Sequence, residues 1–404
     1  MKIPMLEDVL LVISITYIVS LTLGFLMEKY LKIPWMFIAI FLGIAFSSLG
    51  YFTIAIQSDA FQVLSTLGML IMLFLIGFNI ELGKMRKLGK QIVTGTFAII
   101  FFEGISMTLL LYLGFPEMVD NSLLIAFIVA LSFATVGEAI LLPILREFNV
   151  INTKFGQLTL GIGTLDDIIE LFTLTLVGLV LAVGAISPSG KAFPSPGPLI
   201  FALAVLLAAT FILLKFRSSI AALLGRTFGN HHFQYLIILT LFFTFITFGG
   251  FYYEGLMPIA AILSGIAARE LFPKKITNEY GHIIDFLGYM FLAPLFFLSI
   301  GAEVSIDSIL IFPILLFSIW GVAAAAKLIA SYFLFKKTLG KKFSLLMGLG
   351  LSVRFSTSLV VQFILFSNGL ISQSLYSTLI ATAILMKPFI IYLYSRGLGS
   401  ERPP

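Results

Sequence analysis

The stretch LTLGIGTLDDIIELFTLTLVGLVLAVGA, residues 158–185, has the composition of one membrane-spanning helix with an acidic pair in its middle. Its apolar length exceeds the roughly 20 residues that an α-helix needs to cross a bilayer. Asp166 and Asp167 nevertheless lie near its centre, where a charge costs about 2.5 to 3.5 kcal/mol even on lenient insertion scales. An acidic pair at that depth indicates the handling of cations or protons.

The composition of the whole chain is that of a membrane protein. Its 404 residues are 59% hydrophobic and 11% charged, against roughly 25% charged in soluble domains. The sequence has no cysteine, which excludes disulfides and thiolate metal sites. It also has no phosphate-binding glycine loop and no nucleophile with a base partner. We therefore expect a protein in the lipid bilayer that is no enzyme, has no resident cofactor and binds no nucleic acid.

Thirteen apolar runs have about the length of a membrane span. They fall near residues 9–27, 34–51, 61–80, 91–113, 122–145, 156–186, 199–214, 233–252, 256–271, 280–301, 308–335, 343–367 and 374–395. The predicted fold class is therefore an all-α membrane protein with about thirteen transmembrane helices.

The basic residues fix the predicted orientation. Of the 25 lysines and arginines, only Lys2 and Lys191 fall in one set of alternate loops, and three lie within predicted spans. All the others fall in the opposite loops, which the positive-inside rule assigns to the cytoplasm. We expect a multi-pass protein of the cell inner (plasma) membrane, with its N-terminus outside and its C-terminus in the cytoplasm.

One integral membrane domain, residues 1–404, accounts for the chain. The Pro/Gly-rich segment SPSGKAFPSPGP, residues 187–198, separates two halves. The predicted first half is 1–186, the linker and seventh helix are 187–232, and the second half is 233–404. The ending SRGLGSERPP is short, so we expect no C-terminal regulatory domain.

Short matches indicate an internal repeat. FLIGFNIEL at 74–82 matches FLSIGAEVS at 297–305 when Gly77 is aligned with Gly301, an offset of 224, and the same offset puts Glu103 opposite Lys327. LSFAT at 131–135 aligns with LSVRF at 351–355. Because the partners are seven helices apart, they cross the membrane in opposite directions. An inverted-topology repeat of six helices is typical of secondary transporters, whose binding sites lie near the membrane midplane.

The fifth and twelfth predicted helices are the expected discontinuous, crossed pair. The fifth contains Thr135, Val136 and Gly137 at mid-span, and the twelfth contains Gly350 and Ser352. Small and hydroxylated residues permit a local break within the membrane, because they can satisfy the backbone groups that the break exposes.

Lys327 is a lone lysine in an apolar helix. An unpaired ammonium there is improbable, so we expect a carboxylate partner, with Asp166 or Asp167 as the natural candidates. The alternative is a lysine whose stem reaches the cytoplasmic surface.

Further acids accompany the pair. Glu138 lies three residues after Thr135, and Glu170 lies four after Asp166. Each can join a cation site, act as a second proton carrier, or bond Arg354 for structure. For Glu103 we favour a structural ion pair.

These segments together resemble a known family. LGIGTLDDIIELFTLTLV resembles the aspartate-pair helix of the second monovalent cation:proton antiporter family, the bacterial Na+/H+ and K+/H+ exchangers. ALSFATVGEAILLPILREFNV resembles its unwound helix, FLIGFNIELGKMRK its FLIGLEL-type segment, and APLFFLSIGAEVS its FFxSxG segment. The likeness runs from about residue 32 to residue 393.

The resemblance implies a homodimer with a mobile core of helices four to six and eleven to thirteen, working by elevator-like alternating access. It implies that Asp167 carries the cation and the proton and that Asp166 pairs with Lys327. Thr135 would lie at the helix crossing, with Ser132 in the same unwound segment.

Two departures from the family pattern leave ion selectivity and stoichiometry open. Many members have Pro-Arg-Gly-Glu where this chain has Val353, Arg354, Phe355 and Ser356. Glu138 occupies a position that is commonly apolar.

The predicted function is electrogenic, proton-coupled antiport of a monovalent cation, with Na+ expected as the ion and K+/H+ exchange as the alternative. A cation channel and an organic-anion symporter of similar architecture are rivals. Channels build continuous pores from carbonyl or carboxylate rings, and an anion site calls for helix N-termini and few carboxylates.

Overall fold

The computed structural model describes residues 6–31, 35–80, 89–136, 138–182, 196–227, 231–272, 283–354, 356–400 and 403–404. The regular structure of these residues is entirely helical, with no strand among them. The all-α prediction is confirmed.

Seven helices of the described residues are long and apolar enough to cross a membrane. They are Leu6–Tyr30, Asp59–Asn79, Lys90–Gly114, Gly197–Lys215, Ile283–Ala302, Pro313–Leu351 and Gln373–Gly399. Shorter apolar helices lie at Met36–Leu49, Leu123–Phe133, Leu236–Tyr252 and Ser358–Ser367. A protein with many membrane helices is confirmed, and the number of thirteen crossings stays a prediction.

The N-terminal part of the chain forms helices α1 to α9. Their bounds are α1 Leu6–Val19, α2 Phe25–Leu31, α3 Met36–Leu49, α4 Thr53–Ile56, α5 Asp59–Asn79, α6 Lys90–Leu109, α7 Leu123–Phe133, α8 Glu138–Glu147 and α9 Lys154–Ala182. π-helical turns at Ser20–Gly24 and Leu110–Gly114 continue α1 and α6.

Helices α10 to α19 follow. Their bounds are α10 Pro196–Lys215, α11 Arg217–Thr227, α12 His231–Tyr252, α13 Met257–Leu271, α14 Ala293–Ala302, α15 Ile306–Ile311, α16 Pro313–Leu351, α17 Ser356–Ser367, α18 Gln373–Leu385 and α19 Lys387–Ser400. A π-helical segment, Phe286–Leu292, leads into α14.

Two helices are interrupted where the sequence predicted breaks. α7 ends at Phe133, and Ala134 leaves helical geometry (φ −78°, ψ 37°) before α8 begins at Glu138. α16 ends at Leu351, and α17 begins at Ser356. Ser352 closes α16 with a hydroxyl that donates to the Gly348 carbonyl at 2.9 Å. The prediction of two discontinuous helices is confirmed.

A glycine divides the long helix α16. Gly340 has φ 78° and ψ 168°, a conformation that a residue with a Cβ rarely adopts. The predicted eleventh and twelfth spans therefore follow each other across this kink, with no separate loop between them.

The chain forms two compact units. Unit 1 comprises Met1–Ile56, Gly83–Thr173 and Phe297–Pro404, and unit 2 comprises Gln57–Leu82 and Leu174–Phe296. Each unit combines segments of both predicted halves, so the halves are not separate compact bodies. Their boundaries, which rest on the repeat, stay a prediction.

A close helix crossing lies within unit 1. Gly43 of α3 faces α14, and a Cβ on it would lie 2.1 Å from the Leu298 carbonyl oxygen. Gly301 of α14 faces α3 in return, and its Cβ would lie 2.0 Å from the Ile40 oxygen. The two backbones therefore approach through a pair of glycines, as is common between membrane helices.

Unit 2 contains the equivalent crossing, between α5 and α13. A Cβ on Gly77 would lie 2.2 Å from the Ile262 oxygen, and one on Gly265 would lie 2.1 Å from the Phe74 oxygen. Each of these four residues has its counterpart in unit 1 at an offset of 222 or 224 in the chain. The same packing in both units supports the internal repeat.

Gly301→Ala should destabilise the protein, because the added Cβ meets backbone that cannot move aside. Overpacking of this kind costs about 1 to 3 kcal/mol, and we expect a lower Tm of the purified protein. Gly321→Ala is the control, since a Cβ there meets nothing within 4 Å. Equal Tm values for the two variants would contradict the crossing.

Candidate functional site

The two helix breaks create unsatisfied backbone groups inside the apolar part of the protein. A helix end exposes carbonyl oxygens at its C-terminus and N–H groups at its N-terminus. Water cannot satisfy these groups in the bilayer core, so the protein must do so itself. The described charged side chains of the site all contact such groups or each other.

Lys327 joins the two breaks. It lies on α16 and is fully buried. Its ammonium donates to the Thr135 carbonyl in the first break and to the Leu351 carbonyl at the edge of the second, each at 2.7 Å. A cation is favoured here, because the C-terminal end of a helix carries partial negative charge.

Arg354 makes the second link between the breaks. Its Nε donates to the Phe133 carbonyl, the last of α7, at 2.5 Å, and its Nη1 donates to the Ser352 carbonyl at 3.4 Å. The guanidinium carbon lies 3.8 Å from the centre of the Phe133 ring, a favourable cation–π geometry. Both interrupted helices thus have their free carbonyls bound by buried cations.

Glu103 of α6 is the counter-charge for both cations. Its carboxylate forms an ion pair with Arg354 and a second one with Lys327, whose Nζ lies 3.2 Å from Oε2. The Glu103 side chain is fully buried. It can remain charged there because both of its partners are charged and contact it directly.

Asp166 binds a free N–H group of the first break, whereas the two cations bind free carbonyls. It lies about 18 Å along α9 from the helix start, at 1.5 Å per residue, and is 1% exposed. Its Oδ2 accepts a hydrogen bond from the Val136 N–H at 2.6 Å, just before α8 begins. A carboxylate is favoured at this end of a helix, where free N–H groups carry partial positive charge.

The predicted ion pair between Asp166 and Lys327 is wrong in this structure. Lys327 is buried and paired with a carboxylate, as expected, but that carboxylate belongs to Glu103. The physical reason is that α6 packs along α16, which brings the two lone charges together, while the Val136 N–H holds Asp166. Glu103 forms the ion pair that the sequence favoured, and it is also the partner of Arg354 in the described part of the chain.

Two hydroxylated residues line the first break. The Ser132 hydroxyl donates to the Val129 carbonyl at 2.7 Å. The Thr135 hydroxyl is buried and has no hydrogen-bond partner among the described residues. Its oxygen is thus available to a ligand.

Three predicted acids have side chains outside the described part of the structure. Asp167 and Glu170 lie on α9, and Glu138 lies at the start of α8. Their roles stay predictions, as does the cation site of Asp167, Asp166 and Thr135. No cluster of three carboxylate or histidine side chains occurs among the residues that are described.

Sequence reasoning missed the backbone ligands of the site. The Thr135, Leu351 and Phe133 carbonyls bind the cations, and the Phe133 ring supports Arg354. No sequence motif marks a carbonyl oxygen. One signal for the lysine's partner existed, because the repeat aligned Glu103 with Lys327.

The site offers oxygen ligands in a charged, water-poor region. Carboxylate, hydroxyl and carbonyl oxygens are the ligands that hard cations prefer. With two described acids and two described bases, the charges that hold the breaks balance. This arrangement can supply oxygen ligands to a small cation.

Comparisons with known proteins agree with this chemistry. A family model described as "Sodium/hydrogen exchanger, transmembrane" matches residues 15–391. The chain is 27% identical over 354 residues to a Na(+)/H(+) antiporter of Enterococcus hirae, covering 82% of this chain and 84% of that protein. It is 28% identical over 333 residues to a probable Na(+)/H(+) antiporter of Methanocaldococcus jannaschii, covering 81% of each.

A solved structure shares the fold. The sodium proton antiporter MjNhaP1 of Methanocaldococcus jannaschii, at pH 8, superposes with a TM-score of 0.56 over 97% of both chains. The sequence identity is 15%, so this likeness concerns the fold alone.

Arg354→Gln should strongly destabilise the protein, because it leaves buried carbonyls and a buried carboxylate short of a partner. Breaking a buried ion pair by removing one side costs about 3 to 5 kcal/mol. Arg217→Gln is the matched control, since it removes the Arg217–Glu270 pair, in which Arg217 is 58% exposed, and such pairs contribute at most about 1 kcal/mol. Thermal unfolding of both purified variants tests this, and a Tm loss for Arg354→Gln no larger than for Arg217→Gln would contradict it.

Proposed function

The chain belongs to the sodium/hydrogen exchanger family of transmembrane proteins, and we propose on this basis that it exchanges Na+ for protons across the membrane. The supporting observation is the meeting of two interrupted helices at buried charges, beside the acidic pair of α9. A transported ion needs polar ligands at mid-membrane, and these breaks supply them.

Asp167 is the proposed carrier of both ions. Neighbouring helix positions point about 100° apart, so the two aspartates of the pair can have different surroundings and different roles. One carboxylate can bind a proton or a cation but not both. Competition between the two for Asp167 therefore couples their transport.

Coupling also needs the empty carrier to stay in place. An ionised, unloaded Asp167 would place a charge within the membrane span. Moving such a charge through the hydrocarbon region is costly. A proton or a cation removes that cost, so the site crosses only when loaded, which is the definition of exchange.

The residues around Asp167 have supporting roles in this proposal. The Thr135 hydroxyl, which has no hydrogen-bond partner among the described residues, supplies a neutral oxygen to the cation, with Ser132 three residues before it. Asp166 holds the start of α8 and adds negative charge. Glu138 and Glu170 are further candidate ligands or proton carriers.

The assembly and motion are also proposals. The family resemblance supports a homodimer in the plasma membrane, elevator-like alternating access, and an N-terminus outside with a cytoplasmic C-terminus. Because the chain has no native cysteine, single introduced cysteines can report orientation by labelling and the dimer by cross-linking. Labelling from the wrong side would refute the topology.

Asp167→Asn should abolish exchange, because the amide neither releases a proton nor offers a charge to the cation. The measurement is cation-driven proton flux in proteoliposomes. Asp307→Asn removes an exposed acid at the start of α15 and should keep most of the activity. Full activity of Asp167→Asn would refute the carrier assignment.

The same vesicles discriminate among the ions and mechanisms. We expect Na+ to drive proton flux more strongly than K+, whereas a response to K+ alone would identify a K+/H+ exchanger. Cation flux without counter-movement of protons would identify a channel. We also propose electrogenic exchange, because two aspartates and a lysine offer the site a further proton besides the one that Asp167 exchanges. The rate should then change with an imposed membrane potential, and a rate insensitive to potential would refute it.

A further inference from the structure

Glu103 occupies an unexpected position relative to the transport site. It lies on α6, outside both interrupted helices and outside α9, yet its carboxylate contacts Lys327 and Arg354. These are the two cations that bind the free carbonyls of the breaks. One buried acid therefore contacts both of the cations that link the half-helices.

The two cations need this acid in order to stay together. Lys327 and Arg354 both contact Glu103, so their like charges lie close to each other in a region of low dielectric constant. Each cation also satisfies carbonyl oxygens that have no water to bind. Without a carboxylate between them, repulsion would drive at least one cation off its carbonyls.

Lys327 has a second acid within electrostatic reach. Its ammonium donates to the Thr135 carbonyl, which directly precedes the residue that Asp166 binds. Asp166 meanwhile accepts the Val136 N–H at 2.6 Å. Whether Asp166 keeps its hydrogen bond to Val136 therefore depends on which carboxylate forms the ion pair with Lys327.

We propose that Glu103 is a positioning residue of the exchange site, which holds Lys327 and Arg354 on the half-helix carbonyls and so keeps the lysine away from Asp166. The transport consequence rests on the proposed function. If Glu103 loses its charge, Lys327 turns to Asp166 and adds positive charge beside the proposed cation position. The apparent affinity for the cation then falls.

The first test measures the pairing without transport. Thermal unfolding of Glu103→Gln, Lys327→Gln and the double variant forms a double-mutant cycle. We expect the Tm loss of the double variant to be clearly smaller than the sum of the two single losses. Asp166→Asn with Lys327→Gln is the matched cycle, and its coupling should be clearly weaker than that between Glu103 and Lys327.

These cycles show which carboxylate pairs with Lys327, even if the protein does not transport Na+. Additive losses for Glu103 and Lys327, together with coupling between Asp166 and Lys327, would overturn the proposal while leaving the exchange function untouched. Failure of exchange in the wild-type protein would instead overturn the proposed function alone.

The second test separates positioning from simple structural support. Glu103→Gln/Arg354→Gln removes one charge of each sign, so the variant keeps the charge balance that folding needs. We expect its KM for Na+ to rise roughly tenfold, as for other residues that orient ion ligands without binding the ion themselves. The change in kcat should be much smaller. Glu103→Asp, which keeps the charge, should restore a KM near the wild-type value.

Glu303→Gln is the control, because Glu303 is a partly buried acid of unit 1 that contacts neither Lys327 nor Arg354. Only charges in contact couple strongly, so the KM of this variant should stay within about twofold of wild type. A wild-type KM in the charge-balanced double variant would overturn the proposal, because Glu103 would then serve only to neutralise Arg354.

Discussion

A backbone that is interrupted inside a bilayer has no water to satisfy its free carbonyl and N–H groups. Here both interruptions are stabilised by charge. Lys327 and Arg354 bind the carbonyl ends, and Asp166 binds the N–H of Val136. Because those charges are themselves buried, they require Glu103 as a counter-ion. The helix breaks thus require buried charges, and the buried cations in turn require the Glu103 carboxylate.

Close glycine crossings join two pairs of uninterrupted helices, one pair in each unit. Within unit 1, α3 and α14 approach at Gly43 and Gly301, and within unit 2 the equivalent glycines join α5 and α13. Close backbone contact leaves little room for either pair of helices to shift. The same arrangement in both units is what an internal repeat predicts.

The sequence predicted the fold class, the interrupted helices and the buried lysine, because each depends on composition or local residue type. Small and hydroxylated residues at Thr135 and Ser352 marked the breaks. The partner of Lys327 could not be predicted in the same way. The aspartate pair of the first half made Asp166 the expected partner of Lys327. The observed partner, Glu103, depends on how α6 packs against α16.

The repeat carried information that was harder to interpret. Its offset of 224 matched Glu103 with Lys327 as equivalent lone charges, and equivalence under a repeat does not by itself mean contact. Here the two residues are both equivalent and in contact. The backbone ligands at Thr135, Leu351 and Phe133 had no sequence signal, because every residue has a carbonyl and only tertiary structure selects which ones are used.

We propose that a proton and a cation compete for the Asp167 carboxylate, and this competition couples their transport. Calorimetric titration of the purified protein with Na+, repeated in buffers of different ionisation enthalpy, measures the protons released on binding without any gradient or vesicle. We expect Na+ binding to release protons near neutral pH and this release to disappear in Asp167→Asn. Saturable Na+ binding with no proton release in the wild-type protein would contradict it.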